Sequence, residues 1–408
     1  MTISLPTPDQ EAAQHSARLA GLIRSDIIAQ GGWIPFSRFM ELALYAPGLG
    51  YYTAGARKFG KAGDFITAPE LSTLFGRTLA RQAAEIMASS TPDILELGAG
   101  SGKLALDMLV ELEQMDALPQ SYSILEVSAD LRERQRSLLQ KELPHLAGRI
   151  QWLDALPEKI NGAVIANEVL DALPVHLVHW HAMEESLDLH RYAGDVWTDS
   201  DLPDHPRTIT ELGVAIEEEN FVWQEREPVN DALHALARNF HEPDDYLSEI
   251  SLATRGLVTS LSERLDKGAM LFIDYGFGAR EYYHPQRSRG TLMCHYRHHA
   301  HDDPFHLPGL QDITAHVDFT AVAEAAIDAG ANLLGYTTQA HFLINSGIMD
   351  FLAESDPEKP GEHLPLAAQF QKLTSPSEMG ELFKVIAFGK ALDTRLSGFL
   401  RGDLSRHL

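Results

Sequence analysis

A single cysteine, Cys294, serves a chain of 408 residues. One thiol excludes an internal disulfide and any metal centre built from cysteines alone. Basic residues are scarce too: 33 Lys and Arg stand against 58 Asp and Glu, a formal charge of -25. Such a surface repels phosphate backbones and anionic headgroups, which argues against nucleic acid as a partner. Apolar runs fall short of the roughly 20 residues that span a bilayer, so no membrane insertion is expected. The opening MTISLPTPDQEAAQ lacks the basic and apolar regions of a signal peptide and the arginines of a transit peptide. A cytoplasmic protein is expected, or a mature organellar form. Repeats and low-complexity segments are absent, and 44% hydrophobic with 22% charged residues is ordinary globular composition. The length suits one large elaborated domain or two to three small ones.

What is present is periodicity. Ala13, Ala17, Leu19, Ala20, Ile23, Ile27 and Ile28 form one helical stripe between Asp9 and Gln30, stopped by Gly31 and Gly32. The Gly- and aromatic-rich stretch APGLGYYTAGARKFGKAGDFITAPE follows, a loop of the length usually tied to function. Its Arg57, Lys58 and Lys61 read as surface charge in a lid. Another helix is expected from Ser72 to Met87. Then short apolar strands, DILEL (93–97), YSILEV (122–127), IQWL (150–153) and AVIAN (163–167), alternate with helices over 103–114 and 129–142. This rhythm predicts an α/β fold, a Rossmann-like parallel sheet covered on both faces. Between Pro174 and Pro243 the runs VHLVHWHAM, LDLHRYA, TITELGV and FVWQERE predict an inserted antiparallel β subdomain on the substrate side. A helix near 246–265, a strand over 269–276, a helix over 319–329 and the strands NLLGYT and FKVIAFG complete the pattern. The expected organisation is an N-terminal helical and lid segment (1–69), a core from 70–173 and 246–392, the insertion (174–245) and a tail (393–408).

The most informative segment is DILELGAGSGKLALDML. A strand ends in Glu96, glycines follow at Gly98, Gly100 and Gly102, and a helix starts at once. Glycines let backbone approach a ligand closely, and the helix N-terminus offers free N–H groups. A dinucleotide fingerprint would need its third glycine where Lys103 stands, so the register argues against a nicotinamide oxidoreductase. An acid followed by G-x-G-x-G is similar instead to the S-adenosyl-L-methionine turn of Rossmann-like methyltransferases. The second strand ends in Glu126, placed to accept the ribose hydroxyls, and Asp154 after the third strand is a candidate for the adenine amino group. The fourth ends in Asn167 and Glu168, with Asp171 close behind, where such folds put their chemistry. A helix N-cap by Asn167 is the plainer alternative.

The segments GDFITAPELSTLFG (63–76), the glycine turn, LEVSADLRERQ (125–135), NEVLDALPV (167–175), FIDYG (272–276) and DITAHVDF (312–319) occur in this order. Together they resemble the MidA family of S-adenosylmethionine-dependent methyltransferases (mitochondrial dysfunction protein A) over nearly the whole chain. The Pro174–Pro243 stretch is the part left unmatched. Mitochondrial members are assembly factors for respiratory complex I and methylate an arginine on one of its core subunits. The resemblance thus implies a protein-arginine N-methyltransferase whose partner is a protein subunit presenting an arginine; a homodimer is left open. Arginine stays protonated, so a site must hold it with carboxylates, align one nitrogen and let a proton leave. Glu168, Asp171, Asp64 and Glu70 are the acids in the matching motifs, with Asn167 beside them. His316 and Asp318 would form an orienting or proton-accepting pair, although a helix N-cap before Phe319 suits them equally. No metal is expected, because the histidines of CHYRHHAHDDPFH (294–306) match no zinc spacing. A non-catalytic cofactor-binding assembly protein and a small-molecule or O-methyltransferase are the alternative functions.

Overall fold

The computed structural model describes residues 5–54, 67–182, 208–239, 245–392 and 394–408. Its strands, in chain order, are β1 (Trp33–Pro35), β2 (Asp93–Leu97), β3 (Ser121–Leu125), β4 (Ile150–Leu153), β5 (Ile160–Asn167), β6 (His176–Trp180), β7 (Ile209–Glu217) and β8 (Asn220–Arg226). They continue as β9 (Tyr246–Ile250), β10 (Leu265–Phe277), β11 (Met293–Tyr296), β12 (His299–His301), β13 (Asp312–Thr314), β14 (Val317–Asp318), β15 (Asn332–Thr338) and β16 (Phe383–Lys390).

The central sheet has the order β15-β16-β10-β5-β2-β3-β4, with β14 on β10. Pairing from β10 to β4 is parallel, and β16 runs against both its neighbours. From β2 the chain builds outward through β3 and β4, then returns to the other side with β5 and β10. That reversal opens a crevice at the carboxyl ends of β2 and β5, where open α/β sheets bind ligands. Successive strand residues face opposite sides, so each strand feeds two cores. Ile94, Ala163, Leu271 and Val385 pack with Leu79 and Met108 of helices Thr73–Ser89 and Lys103–Gln114. Leu95, Val164, Phe272 and Ile386 pack with Val258 and Val322 of helices Leu252–Arg264 and Phe319–Asp328. Fully burying a side chain such as Phe272 contributes about 1.5–3 kcal/mol. The two-sided burial explains why these strands read as apolar runs rather than alternating ones.

The expected antiparallel subdomain is present as the sheet β1-β7-β6-β9, with β8 on β7. It recruits β1 from the N-terminal segment and β9 from beyond Pro243. Leu177 and Val214 of this sheet bury against Leu19, Ile23, Phe36 and Phe39 of helices Gln10–Ala29 and Phe36–Tyr45. The run LDLHRYA lies outside the described residues. The helix expected from Tyr246 begins as a strand instead. Tyr246–Ile250 pairs along its length with β6, a long-range ladder that outweighs local pattern. Ser251 then caps the helix proper through the Thr254 amide. The histidine-rich segment forms a small sheet of order β12-β11-β13.

Candidate active site

A cavity of about 270 Å³ lies at the carboxyl ends of β2, β3 and β5. The glycine turn forms one wall. Gly98, Gly100 and Gly102 have φ of 61°, 54° and 83°, a left-handed conformation that L side chains adopt at a cost. A Cβ on Gly98 would stand 3.1 Å from Val169 Cγ2, itself a cavity residue, and one on Gly102 3.2 Å from Gln135 Cγ. At Gly98 and Gly100 the turn therefore presents bare backbone to the cavity, in a conformation that disfavours side chains.

Two acids stand behind the turn. Glu96 is buried and accepts from the Tyr122 hydroxyl at 2.8 Å. Burial pushes its carboxyl up to about 7; the Tyr122 bond opposes this and the neighbouring Glu126 charge adds to it. Glu126 is buried as well, and accepts from the Ser128 amide at 2.9 Å and from Gln135 Nε2 at 3.1 Å. Burial raises its pKa, although both bonds favour the charged form. Gln135 also donates to the Gly100 carbonyl at 2.9 Å, so one amide fixes the turn and the acid together.

A second group of acids follows β5. Glu168 takes φ of 52°, a backbone strain that turns the chain sharply away from the strand. Its Oε1 accepts from Asn167 Nδ2 at 3.2 Å and from the Ala68 amide at 3.4 Å. The residue is half-buried and lines the cavity. Enclosure pushes the Glu168 carboxyl up to about 8, reinforced by the Asp171 charge. Asp171 is buried, and its Oδ2 accepts from the Tyr275 hydroxyl at 2.6 Å; burial holds it at about 6. Asp274 Oδ2 in turn accepts from the amides of Leu170 and Asp171, at 2.9 and 3.2 Å. Burial, then the Asp171 and Glu168 charges, raise Asp274 far above the carboxylate range. Asn167 Oδ1 and Asp171 Oδ1 are buried without a well-formed hydrogen bond.

Glu96, Gly98, Gly100, Glu126, Asn167, Glu168, Asp171 and Glu70 all line this cavity. Glu70 sits on the short helix Ala68–Leu71 and accepts from Ser101 in the glycine turn. Gly102 falls outside the lining and forms the N-cap of helix Lys103–Gln114. Asp64 lies outside the described residues. Two of the candidate sets lie away from this cavity. Asp154 does not reach the cavity: its side chain is 92% exposed and pairs with Arg132. His316 and Asp318 line a separate cavity of about 260 Å³ with Glu249, Arg255 and Tyr283. Asp318 caps helix Phe319–Asp328 through the amides of Thr320 and Ala321, so the N-cap alternative holds. His316 is pushed down to about 4 by burial and by Arg287 and Lys384, which leaves it neutral.

Sequence reasoning passed over Tyr45, Tyr52, Asp274 and Tyr275. Tyr45 donates to the Ala172 carbonyl and Tyr52 to Asp312, both at 2.9 Å, with their rings stacked at 5.5 Å on the cavity wall. The available signals were the aromatic-rich stretch after Ala46 and the motif FIDYG.

Residues 77–337 match the pattern of a family described as S-adenosyl-L-methionine-dependent methyltransferases. The chain belongs to this methyltransferase family. It is similar to a Burkholderia thailandensis protein crystallised with S-adenosyl-homocysteine, at 47% identity and a TM-score of 0.90, covering 99% of this chain and 100% of that one. Among curated proteins, the Danio rerio protein arginine methyltransferase NDUFAF7, mitochondrial, is 29% identical over 89% of this chain and 84% of its own length. The Drosophila melanogaster homologue is 28% identical over 94% of this chain and 87% of its own. The cofactor of this methyltransferase is S-adenosyl-L-methionine, and the cavity suits it. The turn offers bare backbone at Gly98 and Gly100, and Glu96 and Glu126 supply acceptors for hydroxyl and ammonium donors. When bound, the cofactor supplies an electrophilic methyl group on a sulfonium.

Proposed function

We propose that this methyltransferase modifies an arginine side chain of a protein substrate. The carrying observation is the acceptor-rich end of the cavity, where Asn167 Oδ1 and Asp171 Oδ1 are buried without a well-formed hydrogen bond beside the carboxyl of Glu168. A guanidinium answers that demand, since it brings five donors and a fixed positive charge. A neutral hydroxyl substrate would leave most of these acceptors unmatched. The names of the curated relatives support the same reading.

In this proposal Gly98, Gly100 and Glu96 hold the cofactor, and Glu126 accepts its ribose hydroxyls. Glu168 and Asp171 grip the guanidinium and draw positive charge away from the nitrogen that reacts. Glu168, held at about 8 in the empty cavity, ionises when a guanidinium charge arrives beside it, and the carboxylate then receives the proton that this nitrogen sheds. Following the family resemblance, the substrate class is a subunit of a respiratory complex. The test is transfer of labelled methyl from S-adenosylmethionine into a lysate of a strain lacking the protein, with the modified residue mapped by mass spectrometry. Label on an arginine supports the proposal. Label on another side chain or in the small-molecule fraction, or none at all, overturns it.

A further inference from the structure

Beyond Leu177, on the sheet face that packs against the N-terminal helices, lies a cluster that the methyltransferase reaction does not use. His179 lies on β6 and His181 just beyond it, two residues on. Successive strand residues alternate, so both imidazoles stand on one face. Val178 and Trp180, between and beside them, turn the other way into an apolar core. The ladder continues past β6 through the His181 amide, which donates to the Thr208 carbonyl at 3.0 Å, and this keeps His181 in register. Across the sheet, β7 separates β6 from β8, and Glu225 of β8 reaches over it. Its Oε1 lies 3.0 Å from His179 Nδ1 and its Oε2 3.0 Å from His181 Nε2. The histidine ring centroids are 4.0 Å apart.

We propose that His179, His181 and Glu225 bind a single zinc ion that ties β6 to β8. Two imidazoles and a carboxylate are a donor set zinc takes, at metal–ligand lengths of about 2.0–2.2 Å. Donors at those lengths around one tetrahedral ion lie about 3.3–3.5 Å from each other. Here one ligand atom from each of the three residues lies within 4.8 Å of the others, so rotamer adjustments of about an ångström gather them around one ion. This is the one such group among the described residues.

The surroundings are those of a metal site as well. Metal-bound histidine commonly donates its other nitrogen to a carboxylate, which fixes the tautomer, and ligating carboxylates are themselves hydrogen-bonded. Asp245 Oδ1 lies 3.0 Å from His179 Nε2, and the Thr210 hydroxyl donates to Glu225 Oε2 at 2.8 Å. Glu225 and Asp245 bring two carboxylates to the cluster, a formal charge that one divalent cation cancels. The histidines are partly covered and Glu225 is exposed, so the ion has a route in from solvent and a remaining coordination position for water. The same contacts also satisfy each other as plain hydrogen bonds, and the experiment separates the two cases.

The full chain, prepared without a histidine tag and stripped with a chelator, is titrated with zinc sulfate by calorimetry. The metal retained after desalting is counted by mass spectrometry. Wild type is expected to hold one equivalent. His181→Ala and Glu225→Gln are expected to weaken that binding more than a hundredfold, and Asp245→Asn by about 10–100-fold, the cost of losing an outer partner. His301→Ala, in the small sheet, is expected to change nothing. S-adenosylmethionine affinity serves as the folding control and should be equal in every variant. A wild type that retains no zinc, or a folded Glu225→Gln variant that binds zinc as tightly as wild type, overturns the proposal. Loss of zinc in His301→Ala instead would move the ion to the other histidine cluster and overturn it equally.

Discussion

The Tyr275 hydroxyl donates to Oδ2 of Asp171 at 2.6 Å, joining the end of β10 to the loop after β5. Its neighbour Asp274 grips the same loop by two amides, so consecutive residues brace both the backbone and the carboxylate of one acid. Asp171 Oδ1 is buried within the same loop.

Tyr275→Phe removes the hydroxyl and keeps the ring packed edge-on against His316 and Phe383. A buried acceptor losing its donor costs about 1–3 kcal/mol. Methyl transfer is expected to fall at least tenfold, with cofactor affinity within a few-fold of wild type. Calorimetry and single-turnover rates measured together check this split; equal losses in both would show that Tyr275 acts on the whole pocket.

Glu168→Gln preserves shape and the bond from the Ala68 amide while removing the charge that the carboxyl takes on beside a cationic substrate. Transfer to protein is expected to drop by roughly a hundredfold, the scale of one lost preorganised contact, with cofactor binding nearly unchanged. Normal turnover by this variant would shift the role to Asp171 or Glu70, the other cavity acids.

Gly100→Val places a branched side chain at φ of 54° against the ligand wall. That conformation costs an L residue about 1–2 kcal/mol, which the fold can absorb. The variant is expected to remain folded by circular dichroism and to lose measurable cofactor binding. Unchanged affinity would sink the assignment of the turn.

The raised acids make stability depend on pH. Glu168 at about 8, Glu96 at about 7 and Asp171 at about 6 each keep a proton in the native state that the unfolded chain has already released. Native protein therefore binds more protons than unfolded protein between about pH 4.5 and 8, and stability falls as pH rises through that window. Glu168→Gln cannot lose such a proton. Its stability advantage over wild type, without cofactor, is expected to widen by up to about 1.4 kcal/mol per pH unit. Urea titrations at several values from pH 5 to 8 measure it; a constant gap would contradict the buried, protonated acid.

Much of the sheet was legible because its cause is local. DILEL and IQWL coincide with β2 and β4, and the helices over Lys103–Gln114 and Ala129–Glu142 stand where their apolar periodicity puts them. YLSEI was misread as helix because only its partner β6, far back in the chain, makes it a strand. Helices Gln339–Asn345, Ile348–Ala353, Pro360–Thr374 and Met379–Leu382 escaped because they are short or interrupted, Pro365 lying inside one of them. Within the cavity, Asn167, Glu168 and Asp171 stood out as polar residues closing an apolar strand. Asp274 and Tyr275 did not, because an acid on β10 acquires meaning only from the loop that folds against it across the sheet. His316 and Asp318 shared a motif with the family, yet their segment pairs with β10 at Gly276 and Phe277 and faces another cavity.

The position of β16 bears on how the chain is made. It lies between β10 and β15, although both precede it in sequence. During translation β10 leaves the ribosome with β5 on one side and an apolar, unpaired edge on the other. Such an edge recruits stray strands, and chains of this size are most vulnerable while incomplete. The nascent protein must carry that open seam until Phe383–Lys390 emerges and is threaded between two strands already waiting for it.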